Sequence, residues 1–199
     1  MNWSLHDPEH VTAGGARAVA RCYELGAAPY SDDPRALFRP YLGGGHKATL
    51  ERIAAWMAEA GMTARIDPAG NIVGRYEGLA PDAPVLMIGS HVDSVRDAGR
   101  YDGMLGVMLG IETVALFAAR RQRFAFAIEV IGFGAEEASR FPVSILAIRA
   151  VAGTLAHQTP DPLDPHGASL APPLQALAPD AARPDPPARP RGAALRSTH

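Results

Sequence analysis

At 199 residues, with 47% hydrophobic and 20% charged side chains, the chain has the size and composition of one globular domain with its own core. Nineteen basic against 21 acidic residues leave a net charge of −2, which gives no footprint for nucleic acid or for a polybasic membrane patch. No apolar run approaches the ~20 residues that span a bilayer. The single cysteine, Cys22, excludes an internal disulfide framework, and Met1-Asn-Trp-Ser-Leu-His-Asp-Pro lacks a basic segment followed by an apolar one. The expectation is a soluble, cytoplasmic protein.

Ala13 to Leu25 reads as a helix weakened at its start by Gly14-Gly15. Lys47 to Ala60 is a stronger one, with Leu50, Ile53, Ala54, Met57 and Ala58 at helical spacing and Gly61 as its stop. Thr63-Ala-Arg-Ile-Asp and Asn71-Ile-Val-Gly-Arg-Tyr flank the turn sequence Asp67-Pro-Ala-Gly, which predicts a hairpin. Val85-Leu-Met-Ile, bounded by Pro84 and Gly89, has the wholly apolar character of a buried strand. Met104 to Ala119 is apolar on most faces, with Gly106 and Gly110 permitting close packing, and predicts a buried helix. Phe124 to Phe133 is a second central strand, and strand, helix, strand in that order implies a crossover unit of an α/β sheet.

Composition changes near Thr159. Ten of the 18 prolines lie between Pro160 and Pro190, and proline removes amide donors and breaks helices. The chain therefore divides into a folded unit, residues 1–158, and a Pro/Ala-rich, largely disordered tail, residues 159–199, in which Ala168 to Leu177 forms at most one weak helix. No internal repeat is present.

The chemistry-bearing residues follow the two central strands. His91 and Asp93 stand two apart on extended backbone, so both point to one side, and a carboxylate there suits the second ring N–H of a metal-bound imidazole. Asp102 comes at the amino end of the Met104 helix, where the helix dipole favours a carboxylate. Glu136 and Glu137 follow the second strand, and the carboxyl ends of strands are where open α/β sheets bind ligands. Adjacent glutamates cannot share one orientation, which invites one to ligate metal and the other to take a proton from water. Singly, each of these motifs is most often a hydrogen-bonded pair, a turn or a solvated strand end; jointly, at consecutive strand ends, they point to a hydrolytic metal centre. Gly43-Gly-Gly-His-Lys lacks the spacing of a phosphate-binding loop and reads instead as a flexible helix entry.

Gly89-Ser-His-Val-Asp-Ser-Val, Gly99-Arg-Tyr-Asp-Gly-Met-Leu-Gly-Val and Glu136-Glu-Ala-Ser-Arg-Phe-Pro resemble the allantoate amidohydrolase and N-carbamoyl-L-amino-acid hydrolase family, within the wider group of two-metal aminopeptidases and aminoacylases. Trp56-Met-Ala-Glu-Ala-Gly-Met, Asp67-Pro-Ala-Gly-Asn-Ile-Val-Gly-Arg-Tyr and Arg149-Ala-Val-Ala-Gly look like that family's flanking segments. The resemblance implies an α/β, three-layer catalytic domain with a mixed, largely parallel sheet. It implies two divalent ions (zinc, manganese or cobalt), with His91 on one, Glu137 on the other and Asp102 bridging both. Glu136 is then the general base and Asp93 orients His91. The implied reaction is hydrolysis of a linear amide in a small ureido compound, allantoate or an N-carbamoyl amino acid. No nucleic-acid or membrane partner is expected.

The chain also departs from that pattern. The family's His-Ile-Glu-Gln-Gly-Pro segment, its inserted lid, which serves dimerisation, and a late histidine ligand are not found in the sequence, and His199 is not expected to substitute. Ala135 stands where a polar residue is usual, Ala138 where a glycine is, and Ala147-Ile148 where Gly-Ser precedes the arginine. The expectation is a truncated member with an incomplete sheet on its C-terminal side, no lid and no lid-mediated homodimer. Two protein ligands per ion, where catalytic zinc commonly has three, predict doubtful metal occupancy and weak or no activity. The alternatives are an aminoacylase or peptidase of the same group, or a non-catalytic domain that binds a partner through its unfinished sheet edge.

Overall fold

The computed structural model describes residues 8–143, 145–154, 161–177 and 195–197. Helix α1 (Pro8–Glu24) is followed by α2 (Gly44–Glu59), the hairpin of β1 (Thr63–Ile66) and β2 (Ile72–Tyr76), then β3 (Val85–His91), α3 (Met104–Ala119) and β4 (Ala127–Phe133). Two short helices, α4 (Leu146–Val151) and α5 (Ala171–Leu177), and a short strand β5 (Leu195–Ser197) complete the order.

The strands form one sheet in the order β1-β2-β4-β3-β5. The pairs β1–β2 and β2–β4 are antiparallel, whereas β3–β4 and β3–β5 are parallel, so the sheet is mixed in equal parts among the described strands. The parallel pair β3–β4 is joined by α3, the crossover unit that the strand, helix, strand order implies. Its register sets Gly89 opposite Ile131 and His91 opposite Phe133, which brings the carboxyl ends of the two strands out side by side. The outer edge of β3 is paired at Met87–Gly89 by β5.

The layers follow from alternation along the strands. Ile72, Tyr76, Ile128 and Val130 face a core built with Leu50, Ile53 and Met57 of α2 and Val107, Met108, Ile111 and Val114 of α3. Val73, Met87, Ile131 and Phe133 face the other way, against Ile148 and Val151 of α4. That gives three layers, thick on the α1–α3 side and thin on the α4 side. Gly110 is what lets α3 lie so close to the sheet: a Cβ there would stand 2.9 Å from Val130 Cγ1.

Helix α1 starts five residues earlier than expected, with Pro8 at its first position, where a missing N–H costs nothing. Its docking on α3 outweighs the two glycines: Arg17 and Arg21 reach the buried Glu112 of α3 at 2.7 and 2.8 Å. At the start of α2, Gly43 provides no side-chain cap, and Asp32 Oδ1 instead accepts the Gly45 N–H at 2.6 Å. A carboxylate therefore already occupies the amide end of Gly43-Gly-Gly-His-Lys, which disfavours an anion there.

Within the Pro/Ala-rich segment, residues 161–177 pack on the domain. Asp164 accepts the amides of His166 and Ala168 and pairs with Arg140, while Leu170 is buried with Tyr41, Ala135, Phe141 and Leu146. The expected weak helix is α5. Apart from β5, the tail beyond Leu177, with His199, lies outside the described residues. Among the described residues no helix is long and apolar enough to cross a membrane.

Candidate metal centre

His91 is the last residue of β3, and its ring is almost wholly enclosed. The Nδ1 atom lies 3.0 Å from the backbone carbonyl of Asp93. A carbonyl oxygen can only accept, so Nδ1 carries the proton and donates it, and Nε2 is turned outward. Nε2 lies 3.4 Å from Asp102 Oδ1. Burial opposes a charge on this ring, but the Asp93 carboxylate and carbonyl and the charge of Glu136 outweigh it, pushing the His91 pKa up to about 9.

The Asp93 carboxylate lies 3.7 Å from His91 Nδ1. That carboxylate also accepts the backbone N–H of Glu136 with both oxygens, at 3.1 Å each, and that of Glu137 at 3.0 Å. Asp93 is buried, and it joins the segment after β3 to the segment after β4. Strand β4 ends at Phe133, so Gly134 and Ala135 carry the chain across to the two glutamates.

Asp102 does not cap α3. The N-cap position is Gly103, which makes no side-chain cap, and the Asp102 carboxylate is left exposed beside the His91 ring. Gly103 has φ +67°, and a Cβ on it would fall 2.5 Å from three atoms of that ring. Only glycine permits the helix entry to approach the imidazole so closely.

One ligand atom each of His91, Asp102 and Glu137 lies within 4.8 Å of the others, and this is the one such group among the described residues. Burial pushes the Glu137 carboxyl pKa up; the charge of His91 opposes this, while Glu136, Asp102 and Asp93 push it further up. A half-buried carboxylate among three others and one imidazole is a donor set of nitrogen and oxygen that a divalent cation would relieve, so the residues present fit such an ion. Glu136 and Glu137 are both partly buried, with their backbones held by the same Asp93.

Two supporting groups had no signal in the sequence beyond a turn and a loop. Asn71, buried at the start of β2, receives the Gly134 N–H at 3.0 Å on its side-chain oxygen and donates to Ala147 O and to Asp67 Oδ2. It thereby fixes the far end of the bridge that leads to Glu136. Arg39, also buried, binds backbone carbonyls around the His91 loop. Burial pushes its pKa down to about 10, with Asp93 and Asp32 opposing, so the guanidinium stays charged at neutral pH.

Residues 71–159 match the family model of peptidase family M28. The chain is 43% identical over 119 residues to an N-carbamoyl-L-amino acid amidohydrolase of Geobacillus stearothermophilus, covering 60% of this chain and 29% of that protein. It is 39% identical over 140 residues to allantoate deiminase 1 of Glycine max, covering 69% and 29%. A crystal structure of a hydantoinase/carbamoylase family amidase from Burkholderia ambifaria superposes with a TM-score of 0.75 at 28% identity, over 82% of this chain and 40% of that one. The chain thus spans about 29% of the length of these two curated relatives. By sequence and by fold, the chain is similar to one part of the N-carbamoyl-L-amino-acid amidohydrolases and allantoate deiminases.

Proposed function

We propose that this chain carries the divalent-metal site of a hydrolase that cleaves linear amides in ureido compounds, with allantoate or N-carbamoyl amino acids as the substrate class. The observation that carries the reading is the convergence of His91, Asp102 and Glu137 within 4.8 Å, in a chain related to enzymes named for those substrates.

In this reading His91 would hold one ion, Glu137 would hold a second, and Asp102 would serve both. Zinc, manganese or cobalt would supply a lowered pKa for water and a positive charge beside the scissile carbonyl. Glu136, next to the Glu137 ligand, accepts the proton of that water at its carboxylate and returns it to the leaving nitrogen. Asp93 fixes both glutamates through their amides, and its carbonyl fixes the His91 tautomer, so these donors need little rearrangement. Among the described residues this gives two protein ligands per ion, one fewer than a catalytic zinc site commonly has, so binding is expected to be micromolar or weaker. A reducing, cytoplasmic setting suits the buried free thiol of Cys22.

The match to peptidase family M28 favours a second reading, an aminoacylase or peptidase. Ammonia release from allantoate and N-carbamoyl amino acids, measured with added manganese, cobalt or zinc, separates the two from amine release from acylated amino acids. Slow, chelator-sensitive ammonia release that His91→Ala abolishes is expected. Cleavage of acylated substrates alone would favour the second reading. Failure on every substrate together with no metal uptake would leave a non-catalytic domain.

A further inference from the structure

We propose that Arg39 is a positioning residue for the metal-ligand loop, its guanidinium holding the backbone between His91 and Asp93 in the ligating conformation. The inference rests on the metal reading above.

Arg39 is 2% exposed, and its side-chain hydrogen bonds go to carbonyl oxygens. Nε donates to Tyr30 O at 2.9 Å, Nη1 to Val92 O at 3.0 Å, and Nη2 to Leu25 O. Leu25 lies just past the end of α1, so the charge sits at the negative end of a helix dipole, which offsets part of its burial cost. Val92 is the residue between the imidazole ligand and the aspartate that anchors both glutamates. The backbone of Arg39 grips the same loop from the other side: its N–H donates to Ser94 Oγ at 2.8 Å, and its carbonyl accepts the Ser94 N–H at 3.0 Å. Residues 92 and 94 are thereby both held by residue 39, with the buried Asp93 between them.

A purely structural arginine needs only the links to Leu25 and Tyr30. The link to Val92, a buried core residue, also bears on where the Asp93 carbonyl and the His91 ring stand. Three carbonyls around one planar fork are a geometry that a lysine ammonium, a single point on a flexible stem, does not reproduce.

The test uses the full chain with Co²⁺ as the probe, reading affinity and the visible absorption band, which reports ligand geometry. Urea unfolding of the same proteins gives their stabilities. Arg39→Lys is expected to weaken Co²⁺ binding about 10-fold or more and to alter the band, the scale of effect usual for groups that orient metal ligands. Met57→Ala, which opens the remote core, is expected to lose stability and keep both affinity and band. Should Arg39→Lys fail to fold, Ser94→Ala, which removes one hydrogen bond from the same loop, is expected to weaken binding several-fold with the protein still folded. Unchanged affinity and band in Arg39→Lys, or in Ser94→Ala when it stands in, would overturn the inference alone. An equal loss in Met57→Ala would reduce Arg39 to a general stabiliser and overturn it as well. Absence of Co²⁺ binding by the unsubstituted chain would instead sink the metal reading, and the inference with it.

Discussion

The Asp93 carboxylate is anchored on the backbone of Glu137, whose N–H it accepts at 3.0 Å, while the ring of His91 is held by the Asp93 carbonyl. One residue thus orients side chains at the end of β3 and beyond the end of β4 by two different groups. Replacing the carboxylate leaves the partly buried Glu136 and Glu137 amides without this partner. Asp93→Ala is therefore expected to cost about 3 kcal/mol in urea unfolding, the range for lost charge-assisted bonds. It should also weaken metal binding ~10- to 100-fold. Asp93→Asn, which keeps one acceptor oxygen, should fall between.

The pH dependence has a definite sign. The His91 pKa in the folded chain is about 9, above the unfolded value near 6.5. The metal-free protein therefore holds this stabilisation in full below about pH 6.5 and loses it as pH rises through about 9, by roughly 3 kcal/mol. Metal uptake runs the other way, because the Nε2 proton must leave before a cation binds. Affinity should rise about tenfold per pH unit between 7 and 9 and then level. Affinity that does not vary with pH would mean that His91 is not a ligand.

Gly103→Ala is expected to abolish tight contact between the α3 entry and His91. The added Cβ meets the imidazole at 2.5 Å, and φ +67° is strained for any side chain by about 1–2 kcal/mol. Metal affinity should fall more than 10-fold with a modest loss of stability. An unchanged affinity would show that the ring has room to move without consequence.

Ala138 has φ +52°, in the left-handed region, one residue after Glu137. Ala138→Gly should relieve about 1–2 kcal/mol of backbone strain against roughly 0.4–1 kcal/mol of added chain entropy, for a net gain of about 0.5–1 kcal/mol. Thermal unfolding checks this, and a lower midpoint would contradict it.

Much of the framework was legible in the chain because its local signals agree with its packing. The bounds of α3, Met104 to Ala119, follow from a continuous apolar run ending in basic residues, and the hairpin from its Asp67-Pro-Ala-Gly turn. The end of β3 was less clear. The apolar run stops at Ile88, but pairing with β4 continues to His91, because Gly89 leaves space for the Phe133 ring at 2.7 Å from where a Cβ would stand. The three ligand candidates were visible as residue types following strands. Their supports were not: Arg39 and Asn71 act through backbone atoms 53 and 63 positions away, and such bonds leave no periodicity. The role of Asp93 was half legible, since spacing set it beside His91 but not its carboxylate on the Glu136–Glu137 backbone.

Isothermal titration of the chain with Mn²⁺ or Zn²⁺, before and after single alanine substitution of His91, Asp102 and Glu137, tests most directly whether these three side chains share a cation. Micromolar or weaker binding that drops at least 10-fold in each variant is the predicted result. Binding that survives all three substitutions, or none in the unsubstituted chain at any pH up to 9, would contradict it.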